Sequence, residues 1–415
     1  MNEEIKKLLL LINNCGYEAY LVGGAVRDSI IGIPNHDYDI ASNIPSEVLQ
    51  ELLPSIKFMK DNSRRHTGII RTNDMVVEIS SFKGDSIVED LSNRDFTINA
   101  IAMDGRGNII DPYNGVEDIK RKRISLIKDD GEAFQIDPLR ILRAIRQSDK
   151  LGFVIDDNCK DKMIEFSQGL SHVAGERIYS ELSSIIVSSA IGTILEEYKD
   201  IFFTIIPELK VLDGFDQKNP YHTYDIYMHT IKVVENTRPD LVLRLAALFH
   251  DIGKPSKFTI DENGKGHFLN HQEASNEIFL ETSKKLKMDK RTRIRVSKLI
   301  RCHEMSLSKK KNKIYKFLEK YGIEDLDLLF DLKRADIKGQ NPELLYRLED
   351  IDNTQQLYYQ VVNRINYFNN VIIPWLTKLY EGHNIRPLIH DLRREYVIGK
   401  KTEKKEFNDY ISKRI

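Results

Sequence analysis

Two kinds of periodicity divide the chain. Between residues 18 and 118, apolar and polar positions alternate in short runs. The spacing predicts strands over Ala19–Val22, Tyr38–Ala41, Thr67–Arg71, Val76–Phe82 and Ile98–Met103. Ahead of them, residues 1–15 place Leu8 and Ile12 on one helical face. From about residue 119 the apolar positions recur at helical spacing with few breaks. Helices are predicted over Phe134–Lys150, Ile178–Val187, Thr230–Glu235, Leu241–His250, Asn276–Leu286 and Thr292–His303. The pattern is α+β: a small head holding the only β-rich region, then a long all-α body. Gly, Asp, Asn and Pro cluster in Asp213–Tyr221, the best linker candidate. Four segments are therefore expected: a head at 1–118, a helical neck at 119–212, a second helical unit at 213–345 and a helical tail at 346–415. No internal repeat or low-complexity tract interrupts them.

Composition adds bounds. The 415 residues, 41% hydrophobic and 30% charged, suit a soluble globular protein of two to four structural units. No apolar run is long enough to span a bilayer, and Met1-Asn-Glu-Glu lacks a signal-peptide profile. Cys15, Cys159 and Cys302 are widely spaced, as expected of reduced thiols, so a cytoplasmic location is expected. The net charge of −1 does not by itself announce a nucleic-acid binder. Local basic runs occur at Lys120–Arg123, Lys284–Arg295 and Lys309–Lys311, although most such runs are solvated faces.

The strongest chemical signal lies in the head. Tyr20-Leu-Val-Gly-Gly-Ala-Val-Arg-Asp28 carries an apolar run into a Gly-Gly turn, then Arg27 and Asp28 at a helix start. Gly23 and Gly24 let backbone N–H groups approach phosphate oxygens, and Arg27 can neutralise them. Asp37 and Asp39 stand two apart on a strand, point the same way, and can share hard cations. Val76, Glu78 and Ser80 share one face of the strand over 76–82. Glu78 is thus either a third carboxylate for the same metals or a solvent-facing strand residue. Arg94 and Asp95 precede the next strand. They either bind triphosphate and accept a ribose hydroxyl, or form a turn with a local salt bridge.

Ile136-Asp-Pro-Leu-Arg-Ile-Leu-Arg-Ala-Ile-Arg146 reads as a helix with Asp137 as N-cap and Pro138 at its first position. Asp137 and Arg140 also project together as i, i+3 neighbours. A carboxylate beside a guanidinium matches the donor and acceptors on the edge of cytosine, and similarly adenine, and repels uracil and guanine. Arg143 and Arg146 continue this face toward phosphates.

Taken in order, Gly23–Asp28, Asp37/Asp39, Arg94-Asp-Phe-Thr-Ile-Asn-Ala100, Asp137-Pro-Leu-Arg140 and Glu176-Arg-Ile178 resemble the motifs of bacterial class II tRNA nucleotidyltransferases. These are the CCA-adding enzymes and their poly(A) polymerase relatives, with a polymerase-beta-like head built on a mixed sheet. The resemblance spans about residues 18–185. It implies Mg²⁺-dependent nucleotide transfer to a tRNA 3′ end, with Asp37 and Asp39 holding the metals and Gly24 and Arg27 on the triphosphate. Arg94 and Asp95 would meet the sugar and phosphates, and Asp137 and Arg140 would act as a protein template for the base. Asn93 and Ile136 depart from the family, which usually has arginine and glutamate there. Between Phe82 and Glu89, moreover, only Lys83-Gly-Asp-Ser-Ile-Val88 is present, where CCA-adding members carry a longer loop that helps switch the pocket from CTP to ATP. Members with a shortened loop tend to add CC from CTP and leave the last A to a separate A-adding enzyme. CC addition is the expectation. Full CCA addition with CTP and ATP, or poly(A) synthesis, are the alternatives.

The C-terminal half contains His229, His250-Asp-Ile-Gly-Lys254 and Asp336, which resemble the HD-domain hydrolase pattern over about residues 219–345. His229, His250, Asp251 and Asp336 can complete an N/O site for a transition-metal ion, and His271 and His303 a second one. An HD phosphohydrolase whose head only binds RNA is the alternative from another class. Residues 346–415 place Tyr358, Tyr359, Tyr367 and Phe368 among Asn and Gln, as expected of a helical tail packed on the HD unit. Aromatic residues near Arg394 and Lys400 can instead stack on RNA.

Overall fold

The computed structural model describes residues 2–58, 67–72, 74–219, 221, 223–381 and 383–414. They divide into two compact units, Met1–Ile185 and Ile186–Ile415.

The first unit opens with α1 (Glu3–Asn14), whose Glu4 N–H is accepted by the Asn2 side chain at 2.8 Å. There follow β1 (Ala19–Val22), α2 (Gly24–Ile31), β2 (Asp37–Ser42), α3 (Ser46–Leu52), β3 (Lys57–Phe58), β4 (Thr67–Arg71), β5 (Val76–Ser81) and α4 (Ile87–Ser92). Then come β6 (Ala102–Met103), β7 (Ile109–Ile110), α5 (Gly115–Lys120), β8 (Arg123–Ile124), α6 (Glu132–Ile136), α7 (Arg140–Leu151), β9 (Val154–Ile155), α8 (Asp157–Glu165) and α9 (Gly175–Ile186). The main sheet runs β3-β4-β5-β2-β1-β6-β7 and is mixed, because β2 and β5 are parallel while the other pairs are antiparallel. Strict alternation on β2 and β5 puts Tyr38, Ile40, Val77 and Ile79 inside and leaves Asp37, Asp39 and Glu78 on the opposite face. Leu91, Phe82 and Ile87 of the β5–α4 region close over Val22, Ala41, Ala100 and Ala102. Each large aliphatic side chain buried in this way contributes about 1.5–3 kcal/mol.

Two elements differ from their sequence reading. The run Ile98–Met103 is not one strand. Thr97–Asn99 forms a 3₁₀ turn and only Ala102–Met103 pairs with β1. All of these residues are buried, so the apolar run reflected burial and not a pleat. The helix over 134–150 is broken at Asp137-Pro138 into α6 and α7, because proline has no N–H to continue α6. Short strands also occur outside 18–118, as the parallel pair β8–β9.

The second unit is helical: α10 (Ile191–Glu197), α11 (Lys199–Ile205), α12 (Ile226–Glu235), α13 (Leu241–Phe249), the hairpin β10 (Thr259–Ile260) and β11 (Gly266–His267), α14 (His271–Lys285), α15 (Lys290–Cys302), α16 (Lys311–Tyr321) and α17 (Leu326–Gly339). It ends with α18 (Arg347–Tyr367), α19 (Ile373–Leu379), α20 (Arg386–Val397) and α21 (Lys404–Ser412). The division at Ile185/Ile186 falls earlier than the 213–221 stretch. Tyr227 of α12 donates to the Leu195 carbonyl at 2.7 Å and meets Phe203 edge-on, which ties α10 and α11 to this unit. In the tail, Tyr358 packs with Tyr315 and Phe330 of α16 and α17, while Phe368 packs with Phe407. These two aromatic residues are core. No helix among the described residues is long and apolar enough to cross a membrane.

Candidate functional site

The residues singled out in the head meet in one cavity of about 700 Å³. Gly23, Gly24, Arg27 and Asp28 line it from the β1–α2 turn, and Asp37, Asp39 and Glu78 from the sheet. Arg94 and Asp95 come from the segment after α4, and Asp137, Arg140, Arg143 and Arg146 from the start and face of α7. Gly23 has φ +70° and ψ −138°, a region open to glycine. A Cβ there would also sit 2.7 Å from Arg94 Nη1. Glycine thus serves both the turn and the approach of the arginine.

Asp39 is the register partner of Glu78, and Asp37 that of Val76. Loss of water around Asp39, together with the neighbouring Asp37, holds its carboxyl above the ordinary value in spite of Arg94 and Arg143. Among the described residues no side chain donates a hydrogen bond to either carboxylate; the Asn35 amide reaches only the main-chain oxygen of Asp37, at 2.6 Å. Two unneutralised hard oxygen donors side by side fit divalent cations.

Arg27 is buried. It donates to Asp28 Oδ1 at 2.7 and 2.8 Å, to Asn99 Oδ1 at 2.7 Å and to Gln147 Oε1 at 3.2 Å. Asn99 in turn donates to Asp95 Oδ1 at 2.8 Å, and Arg143 pairs with Asp95 Oδ2 at 2.7 Å. Burial alone would raise Asp95, but Arg143, Asn99 and the Phe96 amide outweigh it and keep the carboxyl below its ordinary value. Arg94 and Asp95 do not form a local salt bridge with each other. Arg94 reaches back to Asp90 at 2.9 Å. Arg146 is held by Glu181 of α9 at 2.5 Å.

Asp137 and Arg140 both face the cavity, but they are held by other groups. Asp137 is not the N-cap of α7, a place Leu139 takes without a side-chain cap; it ends α6, accepts the Leu139 N–H at 3.3 Å and pairs with Arg177 of α9 at 2.8 Å. Arg140 donates to the Asn93 and Arg94 carbonyls at 2.7 and 3.1 Å. The pair is thus positioned from outside, and both groups still line the cavity. Arg177, Asn99, Gln147 and Asp90 escaped the sequence reading as site residues. Only Asn99 and Arg177 lay within motifs, and nothing local marks Gln147 or Asp90.

The second unit holds a buried cluster. His229, His250 and Asp251 form one potential metal group and Asp251, His271 and His303 another. The His229 and His250 Nε2 atoms lie 3.3 and 3.1 Å from Asp251 Oδ2, and His229 Nε2 is 3.2 Å from Asp336 Oδ1. On the other side, His271 and His303 Nε2 are 3.0 and 3.6 Å from Asp251 Oδ1. Asp251 therefore bridges two half-sites. All four Nδ1 atoms face a main-chain carbonyl, of Gly339, Ala247, Phe268 and Ile300, at 2.6–3.0 Å. With Nδ1–H donating to those oxygens, the Nε2 lone pairs turn to the centre, the arrangement a metal-binding imidazole needs. Burial disfavours charge on His229, but its bonds to Asp251 and Asp336 outweigh this and push it up to about 9. A bound cation would take the place of that proton. Lys254, from the same motif, lies 2.7 Å from Asp251 Oδ2.

A head with paired carboxylates under a glycine turn, joined to a helical unit with an HD-type cluster, defines a nucleotidyltransferase of the polymerase type with an HD domain. The family described as "Poly A polymerase head domain" matches residues 19–89 and 71–125, and the HD domain family matches 221–338. The A-adding tRNA nucleotidyltransferase of Deinococcus radiodurans is 30% identical over 305 residues, 70% of this chain and 69% of that protein. The CCA-adding enzyme of Geobacillus kaustophilus is 33% identical over 224 residues, 50% of this chain and 55% of that one. The chain spans about half the length of the CCA-adding relatives it matches. In fold it is similar to the Bacillus stearothermophilus CCA-adding enzyme in complex with CTP (TM-score 0.63, 22% identity, covering 99% of this chain and 97% of that one). It is likewise similar to the Thermotoga maritima CCA-adding enzyme complexed with tRNA (TM-score 0.63, 18% identity, covering 100% and 96%). The chain belongs to the bacterial class II tRNA nucleotidyltransferases that carry an HD domain.

Proposed function

We propose that the protein adds cytidines from CTP to the immature 3′ end of tRNA without a nucleic-acid template. The observation that carries this is the convergence of the glycine turn, the carboxylate pair and the Asp137/Arg140 pair on one cavity. The tRNA 3′ hydroxyl forms a bond to the α-phosphorus of CTP, the bond from that phosphorus to the bridging oxygen breaks, and pyrophosphate leaves. Backbone N–H groups after Gly23 and the guanidinium groups of Arg27, Arg94 and Arg143 bind and orient the triphosphate. Asp95, held by Asn99 and Arg143, faces the sugar. Asp137 accepts from the cytosine amino group while Arg140 donates to the ring acceptors. Asp37 and Asp39, with Glu78 beside them, are the residues that would hold Mg²⁺, which supplies activation of the hydroxyl and charge stabilisation on the leaving group. Recognition of tRNA by shape and backbone is assigned to the helical portion.

Restriction to CC is supported by the short β5–α4 connection, residues 82–86, which has no slack with which to reset the base-reading pair. A separate A-adding enzyme would then act next on the same tRNA. The names of the curated relatives favour two neighbouring readings, full CCA addition and A addition. End-sequencing of products from tRNA lacking its 3′ triplet, and from tRNA ending in CC, separates them. CTP, ATP or both are supplied. Products stopping at CC, with no A added to the CC-ended tRNA, are expected. A single A after CC makes this a full CCA-adding enzyme, long A tails make it a poly(A) polymerase, and A addition without C addition makes it A-adding. For the HD unit the Nε2 geometry supports binding of one or two transition-metal ions by His229, His250, Asp251, Asp336, His271 and His303. Phosphohydrolase activity there is the second reading.

A further inference from the structure

The connection between β5 and α4 is short, and it is also cross-linked. Lys83 N–H donates to Asp90 Oδ1 at 3.0 Å, and Asp85 N–H to Glu89 Oε2 at 2.7 Å. The Asn93 side-chain amide donates twice, to the Lys83 carbonyl at 3.1 Å and to the Glu89 carbonyl at 2.8 Å. It thereby staples the main chain of the connection to the last turn of α4, where Asn93 is the C-cap. The main-chain oxygen of this same residue accepts from Arg140 Nη2 at 2.7 Å, and the next carbonyl, that of Arg94, accepts from Nη1 at 3.1 Å. One residue thus separates the connection from the guanidinium that faces the base. Arg94 adds a further tie, since it pairs with Asp90, which also receives the Lys83 N–H.

A purine extends further from its sugar than a pyrimidine. One arginine can serve both only if its guanidinium moves. Here two of its donors rest on two successive carbonyls, the first of them belonging to the residue whose side chain is bonded to both the connection and α4. We propose that Asn93 is a positioning residue for nucleotide choice, fixing Arg140 in the setting that suits CTP and thereby disfavouring ATP. This rests on the reading of Arg140 as the base-reading arginine.

The test uses the full-length chain and tRNA lacking its 3′ triplet. Single-turnover kcat/KM is measured for CMP and for AMP incorporation at the first position. In Asn93→Ala the CTP:ATP ratio falls at least fivefold. A purely structural role lowers both substrates together and leaves the ratio in place. A second variant keeps Asn93 and slackens the connection with two glycines inserted after Gly84; its ratio falls in the same direction. Arg140→Ala is run in parallel. If its ratio falls and those of both connection variants do not, the Asn93 proposal is overturned while the base-reading role stands. If the Arg140→Ala ratio is unchanged, the base-reading role is refuted and the proposal with it.

Discussion

Gly23→Ala puts one methyl group at the point where the β1–α2 turn, the Asp39 carboxylate and the Arg94 guanidinium meet. Two costs follow from the geometry. At φ +70° and ψ −138° an alanine is strained by about 1–3 kcal/mol. Its Cβ would also lie 2.7 Å from Arg94 Nη1, so the guanidinium must move. Arg94 is not free to do so cheaply, since it is anchored on the buried Asp90 carboxylate at 2.9 Å. Charge-assisted bonds of this kind are worth about 1.5–3 kcal/mol. If half of the strain range reaches the unfolding equilibrium of the 1–185 unit, its thermal midpoint falls by roughly 1–6 °C. If Arg94 contacts the triphosphate, its displacement lowers kcat/KM for CTP by roughly 10- to 150-fold. Thermal unfolding by circular dichroism and single-turnover CMP incorporation read the two effects separately. In an Arg94→Ala background the same glycine change should cost activity only a few-fold while keeping its effect on the midpoint. Additive activity losses would show that Arg94 is not the route. An unchanged midpoint and unchanged kcat/KM in the single variant would refute both halves of the reasoning.

Other outcomes follow from the same geometry. Asp39→Ala, a change on the cavity-facing side of β2 and outside the apolar core, should keep the fold within about 0.5 kcal/mol and lower nucleotide addition by about 10³-fold or more; retained turnover excludes it as a metal ligand. His250→Ala should at least halve the transition metal bound per chain, measured by elemental analysis after dialysis, with helical content preserved; undiminished metal places the ion elsewhere. The Asp95 carboxyl lies below its ordinary value, so it contributes stability above about pH 3.9 that is lost as pH falls through its folded value. Asp95→Asn should therefore lower the midpoint at pH 7 and flatten its decline in acid, and parallel acid profiles for the two proteins count against this.

What could be read from the sequence followed the physics of each signal. β1 and β4 coincide with their alternating runs, and the shared face of Asp37, Asp39 and Glu78 follows from a period of two, which needs no tertiary information. The histidine cluster was signalled by His250-Asp251 at a helix end. Ile98–Met103 misled, because a fully buried segment is apolar on every side whether or not it is pleated. Partner choice was the least legible. Arg94 pairs with Asp90 and not Asp95, Asp137 pairs with Arg177, and Arg140 settles on main-chain oxygens that carry no side-chain signature. Such choices are set by long-range packing.

Helix α7 has a consequence of its own. Arg140 on its first turn rests on the Asn93 and Arg94 carbonyls, and Gln147, two turns on, accepts a hydrogen bond from Arg27 on the same cavity. The helix is a gauge: about 10 Å of rise fixes the interval between the two jobs. One residue added or removed between them would also swing one end by about 100° relative to the other. This part of the chain can therefore change its side chains over time far more easily than its length.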